Sequence, residues 1–377
     1  MKYRNFPNTD ITASVLGMGC MRLPTADGKI DRPEAIKMIR HAIDSGVTYV
    51  DTAYPYHGGE SELVVGEALK DGYREKVTLA TKLPMWKVES FEDMEKTLDE
   101  QLKKLQVECV DFYLLHALDI GRYRKARDMG VKTFLDDMVK KGKIRYPAFS
   151  FHDDFEAFKE IITDYDWKMV QVQMNLLDEF NQATLAGIQE YAGKRGIGVV
   201  IMEPLRGGSL AKTPPAEIQS IYDASAEKRS AVEWAFRWLY DKPEIITILS
   251  GMSAMDQLDD NLRIFDGAEA NCLSDSDKAM LTRVREAYEK RVRIGCTGCE
   301  YCQPCPAGVK IPRIFRGLDS AAMFGEAKDF APQYARLKAE NADASQCVKC
   351  GACEAACPQH FQIRDLLEQI KAEFATA

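Results

Sequence analysis

Eight short apolar runs alternate with amphipathic segments from residue 14 to about residue 265 of this 377-residue chain. The runs fall at 15–19, 47–51, 77–81, 111–115, 145–149, 169–173, 198–202 and 245–249. They are rich in β-branched and aromatic residues, the composition of buried strands. Segments such as 32–45, 91–106 and 229–240 lie between them. In the second of these, Met94, Leu98, Leu102 and Leu105 recur at spacings of three and four, which places them on one helix face. Strand–helix alternation repeated eight times predicts an α/β chain folded as a (β/α)₈ barrel. An open doubly wound sheet is the competing arrangement, and it usually carries a glycine-rich phosphate loop after its first strand. Here that run ends in Gly17-Met-Gly-Cys-Met21, which lacks the third glycine. Residues 2–13 are expected to form a hairpin closing the barrel floor. Two longer stretches, 117–130 and 204–227, follow predicted strands and read as rim loops. The first carries Arg122, Arg124, Lys125 and Arg127. It reads as a solvated loop, with docking or a substrate-phosphate contact as the alternative.

Chemistry in parallel α/β folds sits at the C-terminal ends of the strands. The stretch 47–62 passes from a strand-like run into a polar loop with Asp51, Tyr56 and Gly58-Gly59, then into a helix for which Ser61 is the expected N-cap. Lys82 and His116 follow the next two runs. Asp51, Tyr56, Lys82 and His116 would thus converge at one barrel mouth, and their types suit carbonyl reduction. The developing alkoxide needs a proton, and a tyrosine can donate it. A neighbouring ammonium is expected to lower the phenol's pKa from its ordinary value of about 10. Asp51 would hold Lys82 charged, and His116 would orient the carbonyl oxygen.

After residue 275 the pattern changes; the barrel is assigned to 1–272 and a second, mostly helical domain to 273–377. Residues 274–294 read as one charged helix capped by Ser274, and 306–346 read mostly as helix. Of the 11 cysteines, Cys20, Cys109 and Cys272 are scattered and the other eight form two runs. These are Cys296-x₂-Cys299-x₂-Cys302-x₂-Cys305-Pro and Cys347-x₂-Cys350-x₂-Cys353-x₃-Cys357-Pro. Clustered thiols in a reducing compartment read as metal ligands. Structural zinc usually takes separated Cys-x-x-Cys knuckles; continuous runs, each ended by Cys-Pro, favour iron–sulfur. The second run resembles the bacterial ferredoxin motif, whose fourth cysteine ligates the other cluster. That resemblance implies one [4Fe–4S] cluster on Cys296, Cys299, Cys302 and Cys357, and a second on Cys347, Cys350, Cys353 and Cys305. The first run is one residue shorter before its last cysteine.

The barrel resembles the aldo-keto reductases. The matching pieces are Leu16-Gly-Met-Gly-Cys20, Asp51-Thr-Ala-Tyr-Pro-Tyr56 with Gly59-Glu-Ser-Glu62, Ala80-Thr-Lys82 and Tyr113-Leu-Leu-His116. They continue with Gln171-Val-Gln-Met-Asn175, Pro204-Leu205, and Gly251-Met-Ser253 with Gln257 and Asn261. The resemblance implies NAD(P)(H) as cofactor and a catalytic tetrad of Asp51, Tyr56, Lys82 and His116. It places nicotinamide contacts on Ser150, Gln171 and Met202, and adenine-end contacts on Ser253, Gln257 and Asn261. Four positions depart from the family: Phe151 stands where an asparagine is usual, Met202 where an aromatic stacks on the nicotinamide, and Gly251 and Gln257 where many members carry cations. Barrel plus tail resembles iron–sulfur-containing aldo-keto reductases, with Ser150-Phe-His-Asp-Asp154 typical of that group.

The expected function is carbonyl reduction or alcohol oxidation on a small-molecule substrate, with the clusters exchanging electrons with an external carrier. Nicotinamide moves two electrons as hydride, whereas clusters move one at a time. A flavin normally joins such steps, and the sequence carries no signal for one. Two alternatives stand beside this: clusters that are purely structural or redox-sensing, and an electron-transfer or docking subunit whose barrel binds nucleotide without efficient chemistry. The net charge of −8 points away from nucleic acid and anionic membrane surfaces. No run reaches transmembrane length and the N-terminus lacks a signal-peptide core, so a cytoplasmic location is expected.

Overall fold

The computed structural model describes residues 1–376. Eight parallel strands close into a barrel in chain order: β1 (Leu16–Gly19), β2 (Tyr49–Asp51), β3 (Thr78–Leu83), β4 (Val110–Leu118), β5 (Ile144–Phe151), β6 (Met169–Gln173), β7 (Gly198–Met202) and β8 (Ile245–Ser250). The ring closes where Ile248 of β8 pairs with Leu16 of β1. Each predicted run lies on one of these strands. β3, β4, β5 and β8 all run past their expected C-terminal ends, and in β3 and β4 this changes where the chemistry sits. Lys82 lies within β3 rather than after it. His116 lies within β4, which pairs with β5 as far as Leu118↔Phe151 across an irregularity that follows Leu115.

Residues 3–14 form the expected hairpin, Tyr3–Asn5 against Thr12–Ser14. Phe6, between its strands, packs among Tyr49, Phe112, Leu114 and Val200 inside the barrel, with its ring centroid 4.8 Å from that of Phe112. A Cβ at Gly198 would lie 2.3 Å from the Phe6 ring, so the start of β7 leaves room for this plug only as glycine.

The helices between strands bury one face each. Phe91–Leu105 opens with a capping box between Ser90 and Asp93 and buries Met94, Leu98, Leu102 and Leu105. The stretch 117–130 is not the expected loop. It contains the helix Ile120–Asp128, started by Asp119, whose carboxylate accepts from the N–H of Arg122. Its cations are largely engaged: Arg124 pairs with Glu160 and Lys125 donates to the Val88 carbonyl. The stretch 204–227 likewise contains the turn Arg206–Ala211 and the helix Ala216–Asp223.

The chain divides into two compact units, Met1–Gly207 with Val232–Ser274, and Gly208–Ala231 with Asp275–Ala377. In the second, the predicted long helix spans Asp275–Lys290, and Arg291 just beyond it pairs with Glu217 at 2.6 Å. Helices Ile311–Phe324, Ala331–Ala339 and Ile363–Glu373 enclose a core that includes Ile314, Phe315, Leu318, Leu337, Leu367 and Ile370. Among the described residues, no helix is long and apolar enough to cross a membrane.

Candidate active site and cysteine cavities

The four barrel-mouth residues meet. Lys82 Nζ lies 2.6 Å from Asp51 Oδ1, 2.9 Å from the Thr52 carbonyl and 3.3 Å from the Tyr56 hydroxyl. The side chains of Lys82 and Asp51 are 1% and 3% exposed, so water screens this pair little. Tyr56 reaches the cluster because His57, Gly58 and Gly59 all adopt left-handed backbone angles and turn the chain sharply after it. Its ring meets that of His116 edge-on at 6.0 Å, and Trp86 lies 5.1 Å from the same imidazole on its other contact.

Burial sets the protonation states. It works against the Lys82 ammonium, but the charge and hydrogen bond of Asp51, aided by Tyr56, outweigh it and hold the amine above its ordinary value. Burial raises Asp51, opposed by Lys82. Burial also raises the Tyr56 phenol by more than Lys82 lowers it. This reverses the expected direction: the ammonium does pull the phenol down, but removal from water wins. His116 is pushed down to about 2 by burial first, then by Lys82, His152 and Arg122. Its imidazole is therefore neutral at any working pH.

A second set of buried polar residues supports the first and escaped the sequence reading. Ser61 is not an N-cap. It is the first residue of the helix Ser61–Ala68, and its buried hydroxyl bonds to Thr52 Oγ1 and donates to the Cys20 carbonyl, both at 2.9 Å. Glu62, fully buried, accepts from Thr81 Oγ1 and Gln101 Nε2 at 2.7 Å each. Gln101 also donates to the Lys82 carbonyl at 3.0 Å. The sequence signal, a Ser-Glu pair at a helix start, is the same one that suggests a cap.

The residues expected at the nicotinamide end lie side by side, with Gln171 of β6 in register with Ser150 of β5. Ser150 Oγ accepts from the Ala117 N–H at 2.8 Å. Gln171 Nε2 has the Met202 sulfur at 3.8 Å, and its Oε1 is buried without a partner. Phe151 is fully buried against Phe158. At the other end, Gln257 Oε1 accepts from the Ser253 N–H at 3.0 Å. Asn261 is buried and donates to Ser250 Oγ at 2.9 Å. Arg22 was missed. Its stem fills the space beside Gly251, where a Cβ would lie 3.3 Å from its Cβ and Cδ, and its Nη2 lies 3.6 Å from the Cβ position of Gly207. Glu203 lies within its electrostatic reach, but its guanidinium has no hydrogen-bond or ion-pair partner among the described residues. The absence of a side chain at residue 251 was the available clue.

In the tail, the two cysteine runs cross. A cavity of about 160 Å³ is lined by Cys305 of the first run, with Cys302 at its edge, and by Cys347, Cys350 and Cys353 of the second. A smaller one is lined by Cys296, Cys299 and Cys302 of the first run and Cys357 of the second. Among the described residues, no three His, Cys, Asp or Glu side chains converge as a single-ion site. Thiols ringing a cavity suit a multi-atom cluster better than one ion. In the first run the chain turns through Gly298 at φ +73°, where a Cβ would lie 2.8 Å from the Arg316 guanidinium.

Residues 15–286 match the aldo/keto reductase family. The chain belongs to that family. It is an oxidoreductase, and its residues 295–361 match a 4Fe-4S dicluster domain. A 6-dehydroglucose reductase from Novosphingobium aromaticivorans is 28% identical over 292 residues, 71% of this chain and 90% of the relative. An NADH-specific methylglyoxal reductase from Escherichia coli is 25% identical over 336 residues, 77% of this chain and 100% of the relative. The holo form of an aldo-keto reductase from Bacillus halodurans superposes with a TM-score of 0.64 at 24% identity, covering 75% of this chain and 96% of that one. This family member thus shares the barrel fold with that enzyme.

Proposed function

We propose that this aldo-keto reductase interconverts a small-molecule carbonyl and alcohol with NAD(P)(H), and that it carries two [4Fe–4S] clusters that exchange electrons with an external carrier. The observation that carries the first half is Lys82 Nζ, buried with its Asp51 partner, bridging the Asp51 carboxylate and the Tyr56 hydroxyl. Tyr56 gives its proton to the carbonyl oxygen as negative charge develops there. Lys82 lowers the cost of the phenolate left behind. Asp51 keeps Lys82 charged and in place. Neutral His116 donates a hydrogen bond to the same oxygen and so orients the carbonyl.

When bound, the nicotinamide supplies the hydride. The unpartnered Gln171 Oε1 suits the N–H of its carboxamide, Ser150 lies beside it, and the Met202 thioether provides a polarizable contact for the ring. Ser253 and Gln257 serve the adenine end. Asn261 contributes its amide oxygen there, its nitrogen being engaged with Ser250. Arg22, packed on Gly251 and close to Gly207, is assigned to the dinucleotide phosphates. Replacing it with glutamine should weaken NADH and NADPH alike by about 10–100-fold, the worth of a charge-assisted hydrogen bond. Fluorescence quenching on titration reads this directly, and a loss confined to NADPH would move Arg22 to the 2′-phosphate.

Residues 273–377 act as the electron-carrying domain and residues 1–272 as the barrel. Cys296, Cys299, Cys302 and Cys357 hold one cluster, and Cys347, Cys350, Cys353 and Cys305 the other. The crossed lining of the two cavities supports this assignment, and thiolates kept free for cluster assembly suit a reducing cytoplasm. When bound, the clusters accept and release single electrons. One observation favours structural clusters instead: Cys296, Cys302, Cys305, Cys347, Cys353 and Cys357 all pack against the tail's hydrophobic core. Anaerobic purification with iron and sulfide quantification, followed by spectra before and after NADH or NADPH, tests the whole reading. Iron and sulfide in equal amounts, with turnover across a carbonyl panel, is expected. Zinc in their place would end the electron-transfer half, and clusters that no reductant bleaches would make them structural.

A further inference from the structure

The segment that delivers Cys296 is tied to a helix far along the chain. Asp319 Oδ1 accepts from the N–H groups of Arg293 at 2.9 Å and Ile294 at 2.8 Å, and Oδ2 accepts from Gly295 at 3.0 Å. One carboxylate thus holds three consecutive amides directly before the first cysteine. Asp319 is 7% exposed and lies on the helix Ile311–Phe324. Ile311, Phe315 and Asp319 are spaced four apart and so share one face. The first two line the cavity of Cys296, Cys299, Cys302 and Cys357. That face therefore builds the apolar wall of the cavity and, one turn on, anchors the chain entering it.

The second run has a counterpart built locally. Asp343, 1% exposed, accepts from the Ser345 N–H and the Ser345 hydroxyl at 3.1 Å each, and from Tyr334 at 3.3 Å, just before Cys347. Its backbone partner is two residues away, whereas those of Asp319 are 24 to 26 away. The local turn before Cys347 can form early. The one before Cys296 exists only once the helix Ile311–Phe324 has docked.

We propose that Asp319 is the positioning residue of the first cluster site, fixing the entry of Cys296 so that its run can close around a cluster, and that Asp343 does the same for the second. Cluster loading at the first site then depends on tertiary folding of the tail, and loading at the second depends much less on it. This rests on the reading that the eight cysteines hold two clusters.

The test uses the full-length protein loaded anaerobically. Asp319→Ala should retain about half the iron, because one of two equal clusters is lost. Its remaining electron paramagnetic resonance spectrum should match that of Cys299→Ser, which removes a ligand of the same site. Asp343→Ala should instead match Cys350→Ser. Asp319→Asn, which keeps one acceptor oxygen, should load fully but release iron to a chelator faster than wild type, and only from the first site. Full and equally stable iron in Asp319→Ala overturns the proposal. So does loss of both clusters, which would mark Asp319 as a general fold residue. Absence of iron from wild-type protein would sink the two-cluster reading itself, a separate outcome.

Discussion

Replacing Tyr56 by phenylalanine is expected to slow carbonyl reduction about 10²–10⁴-fold, the usual worth of a positioned general acid, while dinucleotide affinity stays within about twofold, since the lost hydroxyl faces the reacting oxygen. The substitution removes one oxygen from the contact with Lys82 Nζ and leaves the Asp51–Lys82 pair intact. Lys82→Met is a poorer probe. It leaves the Asp51 carboxylate buried without its cation, a loss of about 3–5 kcal/mol in stability that would mix folding with chemistry. The pH profile of kcat/KM sharpens the prediction. Burial holds the phenol above its ordinary value, so the acid form persists through neutral pH and the rate falls only on the alkaline side. His116, pushed down to about 2, stays neutral and contributes no break near the usual histidine value. A wild-type profile that breaks near pH 6.5 and flattens in His116→Gln would refute the neutral imidazole. Unchanged turnover in Tyr56→Phe would remove the proton donor from the scheme.

Stripping the iron should unfold the tail while the barrel stays folded. Six of the eight cysteines pack on the tail's core, and the larger cavity among them measures about 160 Å³. Without a cluster those thiols face an empty space that apolar neighbours cannot close without losing their own contacts. Metal binding free energy in small metal domains is folding free energy, about 10 kcal/mol or more for structural sites. A domain of this size has a total stability of only about 5–15 kcal/mol. Anaerobic chelation should therefore abolish protection of residues 295–376 in limited proteolysis and in amide exchange, with part of the far-ultraviolet helical signal lost. The β-strand amides of β1–β8 should keep their protection. A tail that stays protected after all iron is gone would show that its helices close without the clusters, and would remove the structural reading of the metal.

Much of this was legible in the sequence because the signals are local. Strand composition and helical periodicity located all eight strands. The placing of Asp51, Tyr56, Lys82 and His116 at or close to the C-terminal ends of successive strands brought them together, because a parallel barrel forces those ends to one rim. Cysteine spacing within a run is also a local property, and it suffices to suggest a cluster. What the sequence left out depends on partners far along the chain. The extension of β4 through His116 needs β5 beside it. Ser61 looks like a cap until Thr52 and Cys20 are seen to claim its hydroxyl. Arg22 acquires a role only when Gly251, more than two hundred residues later, is found to leave it room. The direction of the Tyr56 shift could not be had from its neighbours in the chain, since it is decided by how much water the assembled barrel removes. Residue identities determined which chemistry was available, and the closed tertiary structure decided its protonation, its supports and its anchoring, because burial is a property of the whole fold.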